Sequence, residues 1–441
     1  MRRKIKFRGI GFLSILLLLG MGFISIDVAR GEDWQEPIAG WYIPDAEDHP
    51  YIPPHAGENE FEEKQQKVIK SYGYGANNID EIKDLLPLPF YNMIKNPDFF
   101  GPIRINVTPY KKHWTDNKSH PLYAHQEATK KYGGQASIAE NGDLVNWTAG
   151  TPFPEPKNGL EIIFNANKRF RGDDRWQSAI MHVTNKKGQH KVRISSALFL
   201  FFGGRLISDS KPNLPNPNGI EFIHSFGYTD PYDMRGVIPM YRRYISQTKD
   251  DDMWMYFPTI RRVRRMSTAQ RHDPLAGDVD WTWDDWEGFG GKSGFYDWTL
   301  VERKEMFVPR MVGMRCSWNK PMRTMGPDDP YQKMNVYIVD GVPGPKFPNA
   351  IYSKIRVFVD PETWAMLYSE NYDMKGRLWK FSKWANGHDS GWYPNPTNMS
   401  GLDIQRNHAT TCGSNKHWMN KGLKPLDMDM DALKRFYGIS R

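Results

Sequence analysis

A chain of 441 residues with 14% aromatic side chains, 38 Gly and 32 Pro can bury a large core. It reads as β-rich, because aromatics suit a pleated surface and Gly and Pro punctuate it. The formal charge of +8 sits largely at the start: residues 1–31 carry six Lys or Arg and one Asp, and without them 59 basic and 51 acidic residues become 53 and 50, or +3. So small a charge argues against a nucleic-acid partner.

In chain order, Arg2, Arg3, Lys4, Lys6 and Arg8 precede an apolar run over 10–26 that exits through Val28-Ala29-Arg30-Gly31. Charged start, apolar centre and small-x-small exit make 1–31 a cleaved secretory signal. The rival is a retained anchor, since the run approaches the ~20 residues that span a bilayer. Gly20 and Gly22 inside the run favour removal, and no Cys near the exit offers a site for lipid attachment. Residues 32–57 read as an extended lead-in, and 58–441 as a single domain. The only cysteines, Cys316 and Cys412, are expected to pair in an oxidising compartment.

Charge density and spacing predict a surface helix over 58–72, and Asn-Asn-Ile-Asp before Pro87 a short capped helix over 77–86. Residues 103–108 alternate like a strand, 123–132 suit a helix closed by Gly133-Gly134, and Asn141-Gly142 centres a hairpin over 136–147. From Arg175 a period of two takes over, with Val192, Ile194, Leu198, Leu200 and Phe202 on one face of one strand. Residues 351–384 read as strand, turn, strand, turn, strand: an antiparallel meander with one wet face. Segments around Tyr241, Met253 and Val263 and over 296–308 continue it. Residues 387–424 look irregular, and 429–437 closes the chain as a helix. The expected fold is mainly β with some α: a large curved antiparallel sheet under a few helices.

Motifs for catalysis are scarce. There is no Gly-x-Ser-x-Gly elbow, His-Glu-x-x-His helix, phosphate loop or haem attachment site. His408, Cys412 and His417 lie close together, but their spacing matches no standard zinc or haem pattern, so neither metal nor cofactor is expected. Asp278, Asp280, Asp284, Asp285 and Glu287 stand around Trp281, Trp283 and Trp286, and paired carboxylates beside aromatics suit glycan cleavage. Caps and turns are the commoner use of such aspartates.

Two stretches are more specific. One is Thr151-Pro152-Phe153-Pro154-Glu155-Pro156, then Gly159-Leu160-Glu161-Ile162-Ile163-Phe164-Asn165 and Arg171-Gly172-Asp173. The other is Trp254-Met255-Tyr256-Phe257-Pro258 with Arg261, Arg262, Arg264 and Arg265, followed by Trp283-Asp284-Asp285 and Tyr296-Asp297-Trp298. From about residue 40 onward the chain resembles the domain-of-unknown-function family 1329 of Gram-negative bacteria. That family is similar to the lipoprotein-sorting proteins of the LolA and LolB type. The resemblance implies an unclosed β-barrel, a strongly bent antiparallel sheet over an apolar cavity, and a periplasmic location peripheral to the outer membrane. It also implies a hydrophobic or lipid-like ligand and a setting near transporters of the resistance-nodulation-division type.

Alternating strands bearing Met253, Met255, Phe257, Trp298, Leu300, Ile355, Val357 and Trp379 fit either a cavity wall or a closed core. Trp254 and Tyr256 share a face of a strand ended by Pro258, and the arginines alternate along the return strand. One arginine pair is therefore expected to face the sheet's interior, toward a carboxylate or an anionic ligand. Trp254, Tyr256, Arg261, Arg262, Arg264, Arg265, Trp298 and Trp379 are the candidate ligand-binding residues. The expected role is non-enzymatic binding or carriage of a hydrophobic ligand. A structural adaptor of an envelope transport complex and a glycan-active enzyme using 278–287 are the alternatives. Mass spectrometry of the exported protein should find an N-terminus near Glu32; an intact N-terminus in the inner membrane would make the segment an anchor.

Overall fold

The computed structural model describes residues 73–108, 110, 118, 121–275, 277–310, 329–345, 347–387, 395–414 and 417–439. The signal, the lead-in, the helix expected over 58–72 and Cys316 fall outside them. Strands β1 (Gly73–Tyr74) and β2 (Ile105–Val107) come first, then a hairpin of β3 (Ser137–Ile138) and β4 (Leu144–Val145). Next run β5 (Asp174–Thr184), β6 (His190–Phe201), β7 (Ile220–Asp230), β8 (Ile238–Tyr244), β9 (Asp252–Phe257) and β10 (Arg262–Met266). The remainder are β11 (Tyr296–Pro309), β12 (Pro330–Pro343), β13 (Lys354–Val359), β14 (Met366–Tyr372), β15 (Leu378–Gly387), β16 (Asn395–Asp403), β17 (His408–Gly413) and β18 (His417–Met419). Helices are α1 (Leu88–Ile94), α2 (Pro97–Phe100), α3 (Pro121–Tyr132), α4 (Gly159–Lys168) and α5 (Met430–Phe436), with short 3-10 turns between.

All strands but β3 and β4 join one sheet in the order β1-β2-β12-β13-β14-β15-β16-β17-β5-β6-β7-β8-β9-β10, with β11 also on β12 and β18 on β5. The two ends do not pair, so the sheet is unclosed. It is mixed: β2 runs parallel to β12, and every other pairing is antiparallel. Two meanders, β12 to β17 and β5 to β10, meet where Cys412 of β17 pairs with Met181 of β5.

That junction corrects the irregular segment expected over 387–424. It contains β16, β17 and β18, and β17 joins the two halves. Asn-Pro-Thr-Asn-Met-Ser-Gly-Leu-Asp has poor strand propensity, yet the edges of β15 and β17 hold it extended.

The expected wet face is also absent from much of the sheet. Every residue of β5 is buried, and β15 shows how both faces are covered. Phe381 packs on Phe90 of α1 with ring centroids 6.1 Å apart, and Lys383 on the same face binds Asp329 at 2.9 Å. On the opposite face Ser382 accepts a hydrogen bond from Trp281 Nε1 at 3.0 Å, and Trp384 packs against Trp281 with ring centroids 5.3 Å apart. A helical layer thus covers one face, and the aromatic loop around Trp281 covers the other.

Ring distances reveal the curvature. Trp286 lies 6.4 Å from His224 of β7 and 6.0 Å from Trp384 of β15. Five pairings separate those strands, about 24 Å in a flat sheet. The sheet therefore bends around the loop. Among the described residues no helix is long and apolar enough to cross a membrane.

Gly401 of β16 makes the closest approach to this loop, since a Cβ there would stand 2.5 Å from Trp281 Nε1. The ring is held by Ser382 and cannot step back. Gly401→Ala should destabilise by about 1–3 kcal/mol, read as a lower urea midpoint at unchanged slope.

Candidate functional site

The Pro-Phe-Pro stretch and the helix after it form one unit. Asn158 caps α4 by accepting from Glu161 N–H at 3.0 Å. Asn165, fully buried on α4, accepts from Phe153 N–H at 2.9 Å and donates to Phe153 C=O at 2.7 Å. Gly159 lets the helix start against β11: a Cβ there would meet the backbone of Trp298 at 2.8 Å. These contacts determine where α4 ends, and hence where Asn167, Lys168, Arg169 and Arg171 are delivered.

Beyond α4 the chain turns at Gly172, φ +89°, into β5. Two buried aspartates lock the turn. Asp173 accepts from the N–H groups of Leu206, Ile207 and Ser208 at 2.7, 3.0 and 2.6 Å. Asp174 accepts from those of Lys421, Gly422 and Leu423 at 2.8, 3.0 and 3.2 Å. Burial raises the Asp174 carboxyl to about 6 despite these bonds.

Facing this turn is the 3-10 segment Trp283–Gly288, where Glu287 sits in the left-handed region at φ +56°. Its carboxylate takes Arg169, Arg171 at 2.8 Å and Arg175 at 2.5 Å. Burial alone would raise its pKa, but Arg175, Arg169 and Arg171 hold it well below the usual range. Burial brings the Arg169 guanidinium down to about 9, against the pull of Glu287. Arg175 lies 4.0 Å above the Phe199 ring and Arg171 4.9 Å above Phe201. Beside them Lys168 pairs with Glu221 at 2.7 Å, and Arg243 with Asp251 at 2.9 Å.

Two adjoining chambers open here. The outer holds about 370 Å³, within the range of small-molecule sites, and its apolar wall is Leu144, Trp147, Phe170, Phe202, Ile220 and Ile245. The inner is a cleft of about 50 Å³ between Phe199, Phe222, His224, Trp283, Trp286 and Glu287. Asn167, Lys168, Arg169, Arg171, Phe201 and Glu221 line both. Four buried nitrogens of this region, Arg169 Nε, Arg171 Nε, His224 Nε2 and Trp286 Nε1, have no hydrogen-bond partner. His224 stacks on Phe199 at 3.9 Å, and burial, with Arg175 nearby, lowers it to about 3.

The eight residues singled out from sequence lie elsewhere, and none lines either chamber. The β9–β10 hairpin forms as expected, with Arg262 opposite Phe257. The expected inward arginine pair is corrected: Arg262, Arg264 and Arg265 are all exposed, and Arg261 sits in the turn at φ +52°. The physical reason is position, because β10 is the last strand and nothing described covers it. Arg265 pairs with Asp252. Trp254 lies under Arg242, and Tyr256 is buried beneath Lys434. Trp298 is buried and donates to Ser293 C=O at 2.9 Å, while Trp379 donates to Asp403 at 3.0 Å. Cys412 is in the core; its expected partner Cys316 is outside the described residues.

The acidic segment is neutralised residue by residue. Asp278 meets Arg193, Asp280 meets His408 at 2.8 Å, Asp284 meets Arg271 at 2.7 Å, and Asp285 meets Lys380 at 3.4 Å. Among the described residues no cluster of three His, Cys, Asp or Glu is placed to hold a metal. The signal missed in the sequence was the density of charge over Lys168-Arg169-Phe170-Arg171-Gly172-Asp173-Asp174-Arg175, directly before a strand buried throughout.

His224 yields a pH prediction. Between its ordinary value of 6.5 and about 3 the unfolded chain binds a proton there that the folded chain does not, so stability is lost as pH falls through that window. Urea titrations at pH 6 to 4 should show a shallower loss in His224→Phe than in the wild type, by up to ~1.4 kcal/mol per pH unit. Equal slopes would mean that the imidazole takes up its proton in the folded state.

Comparison with known proteins places this geometry in context. An uncharacterized protein of Pseudomonas aeruginosa is 26% identical over 318 residues, 70% of this chain and 67% of its own length. A solved DUF1329-family protein of Desulfovibrio piger is 18% identical with a TM-score of 0.47, over 62% of this chain and 97% of that one. A LolA-superfamily protein of Nitrosomonas europaea is 13% identical with a TM-score of 0.41, over 63% and 99%. The family profile described as protein of unknown function (DUF1329) matches residues 75–433, which takes in the arginine cluster, the aromatic loop and every strand but β1, and the chain belongs to that family.

Proposed function

We propose that this protein binds a lipid-like or other hydrophobic ligand, and holds it without transforming it. The observation that carries the reading is the chamber of about 370 Å³ walled by Trp147, Phe170, Phe202, Ile220 and Ile245 beside the bend of the sheet. A concave wall of large apolar side chains with a few charged groups at one side is the usual form of a ligand pocket. Its finer form is a periplasmic carrier, peripheral to the outer membrane, serving lipid or lipoprotein traffic or a transporter of the resistance-nodulation-division type.

A second reading, the envelope adaptor, is favoured by one observation. No described strand pairs the outer edge of β10, and Ile260 and Val263 are exposed there among arginines. An extended partner segment adds readily to such an edge. The glycan-active reading loses support, because the carboxylates it needs are engaged by basic side chains.

The neutral fluorophore N-phenyl-1-naphthylamine tests the carrier. It should bind the detergent-free protein saturably at one site. Ile245→Asp places a carboxylate on the chamber wall at a half-exposed position, and should weaken binding about tenfold, or ~1.4 kcal/mol. Absence of saturable binding would sink the carrier and leave the adaptor.

A further inference from the structure

We infer that the ligand carries an acid at one end, a carboxylate or a phosphate, which enters the inner cleft and is gripped by Arg169 and Arg171. This rests on the hydrophobic-ligand reading, and names the chemistry of the end that the apolar chamber does not explain.

Charge is the first argument. Glu287 is the one carboxylate within ion-pair reach of Arg169 and Arg171 among the described residues, and it is shared with Arg175. Among the neighbouring cations Lys168 pairs with Glu221, while Arg243, Lys292 and Arg271 share Asp251, with Asp284 as a second acid for Arg271. A cluster built only to hold the fold would balance its charges, because an uncompensated buried charge is strongly destabilising. The excess here is positive and lies on the wall of a cavity.

Hydrogen bonding is the second and independent argument. Arg169 Nε, Arg171 Nε and Trp286 Nε1 are buried without partners, and each can only donate. His224 is about 94% buried, also lines the cleft, and leaves Nε2 unpartnered. A neutral imidazole can present that nitrogen as a donor. Donors cannot satisfy one another, and a cation would be repelled by the guanidinium groups. An oxyanion, which only accepts, answers all four.

Size is the third. The inner cleft, about 50 Å³, has room for a few water-sized groups and none for a chain, whereas the outer chamber of about 370 Å³ takes an apolar body. Arg169 and Arg171 line both spaces, so they stand where head and body of one amphiphile would join. Guanidinium forks match the planar oxygens of a carboxylate and those of a phosphate equally well, and the experiment decides between them.

The test is competition against bound N-phenyl-1-naphthylamine by dodecanoate, dodecyl phosphate and methyl dodecanoate, each at concentrations where it is monomeric in solution. At least one acid should displace the probe about tenfold more tightly than the ester, and the tighter acid names the head. In Arg171→Gln, the least buried arginine of the cluster, that ratio should fall below about threefold, and Arg171→Lys should recover part of it. Equal displacement by acid and ester in the wild type overturns the acid site while leaving the apolar chamber standing. A ratio that persists in Arg171→Gln also overturns it and makes the arginine structural. If the probe never binds, both readings fall. The wild-type comparison needs no variant, so a poorly folded substitution does not blunt the test.

Discussion

One buried carboxylate ties the aromatic loop to a stretch more than a hundred residues before it, where α4 passes into β5. Glu287 belongs to the aromatic loop, Arg169 and Arg171 to the chain leaving α4, and Arg175 to β5. Each charged group costs several kcal/mol to remove from water, so the cluster is tolerable only while all its members are in place. The same pairing that seats the loop against the sheet also assembles the cationic wall of the cleft. Local shape and local electrostatics here have a single origin.

The aromatic loop determines how far the sheet bends. Trp281 and Trp286 meet Trp384 of β15, and Trp283 meets Phe226 and Tyr241 of β7 and β8. These rings fill the concave side, so curvature and core packing are one problem with one solution. Where the loop gives way to α4, the packing opens and the two chambers appear. Buried aspartates on backbone N–H groups, Asp173 and Asp174 above all, hold the surrounding loops without apolar contact. Rims built in this way keep their shape when the cavity is empty, which favours binding by a largely pre-formed site.

Much of the fold was legible in local pattern. The Asn141-Gly142 hairpin, the meander through β13, β14 and β15, and the return of β10 along β9 follow alternation and turn residues. The strands β16 and β17 were not legible, because their residues have little preference for extended structure and take it from their neighbours. The arginines tell the same story. Arg261, Arg262, Arg264 and Arg265 drew notice as a run, yet they lie exposed at the edge of the sheet. Arg169 and Arg175 drew no notice and Arg171 only as part of a motif, yet Arg169 and Arg175 are buried and Arg171 is nearly so, all three on Glu287.

Alternation, turn chemistry and the family motifs by themselves determined a mainly β protein with an unclosed sheet and few helices, because those signals act over a handful of neighbouring residues. Which arginines are buried, how strongly the sheet bends and where a cavity remains were decided only in the tertiary structure. Each depends on groups more than a hundred positions apart, as Arg169 and Glu287 are. A residue's own neighbours do not reveal whether a distant carboxylate will arrive to neutralise it, and burial of charge turns on that arrival.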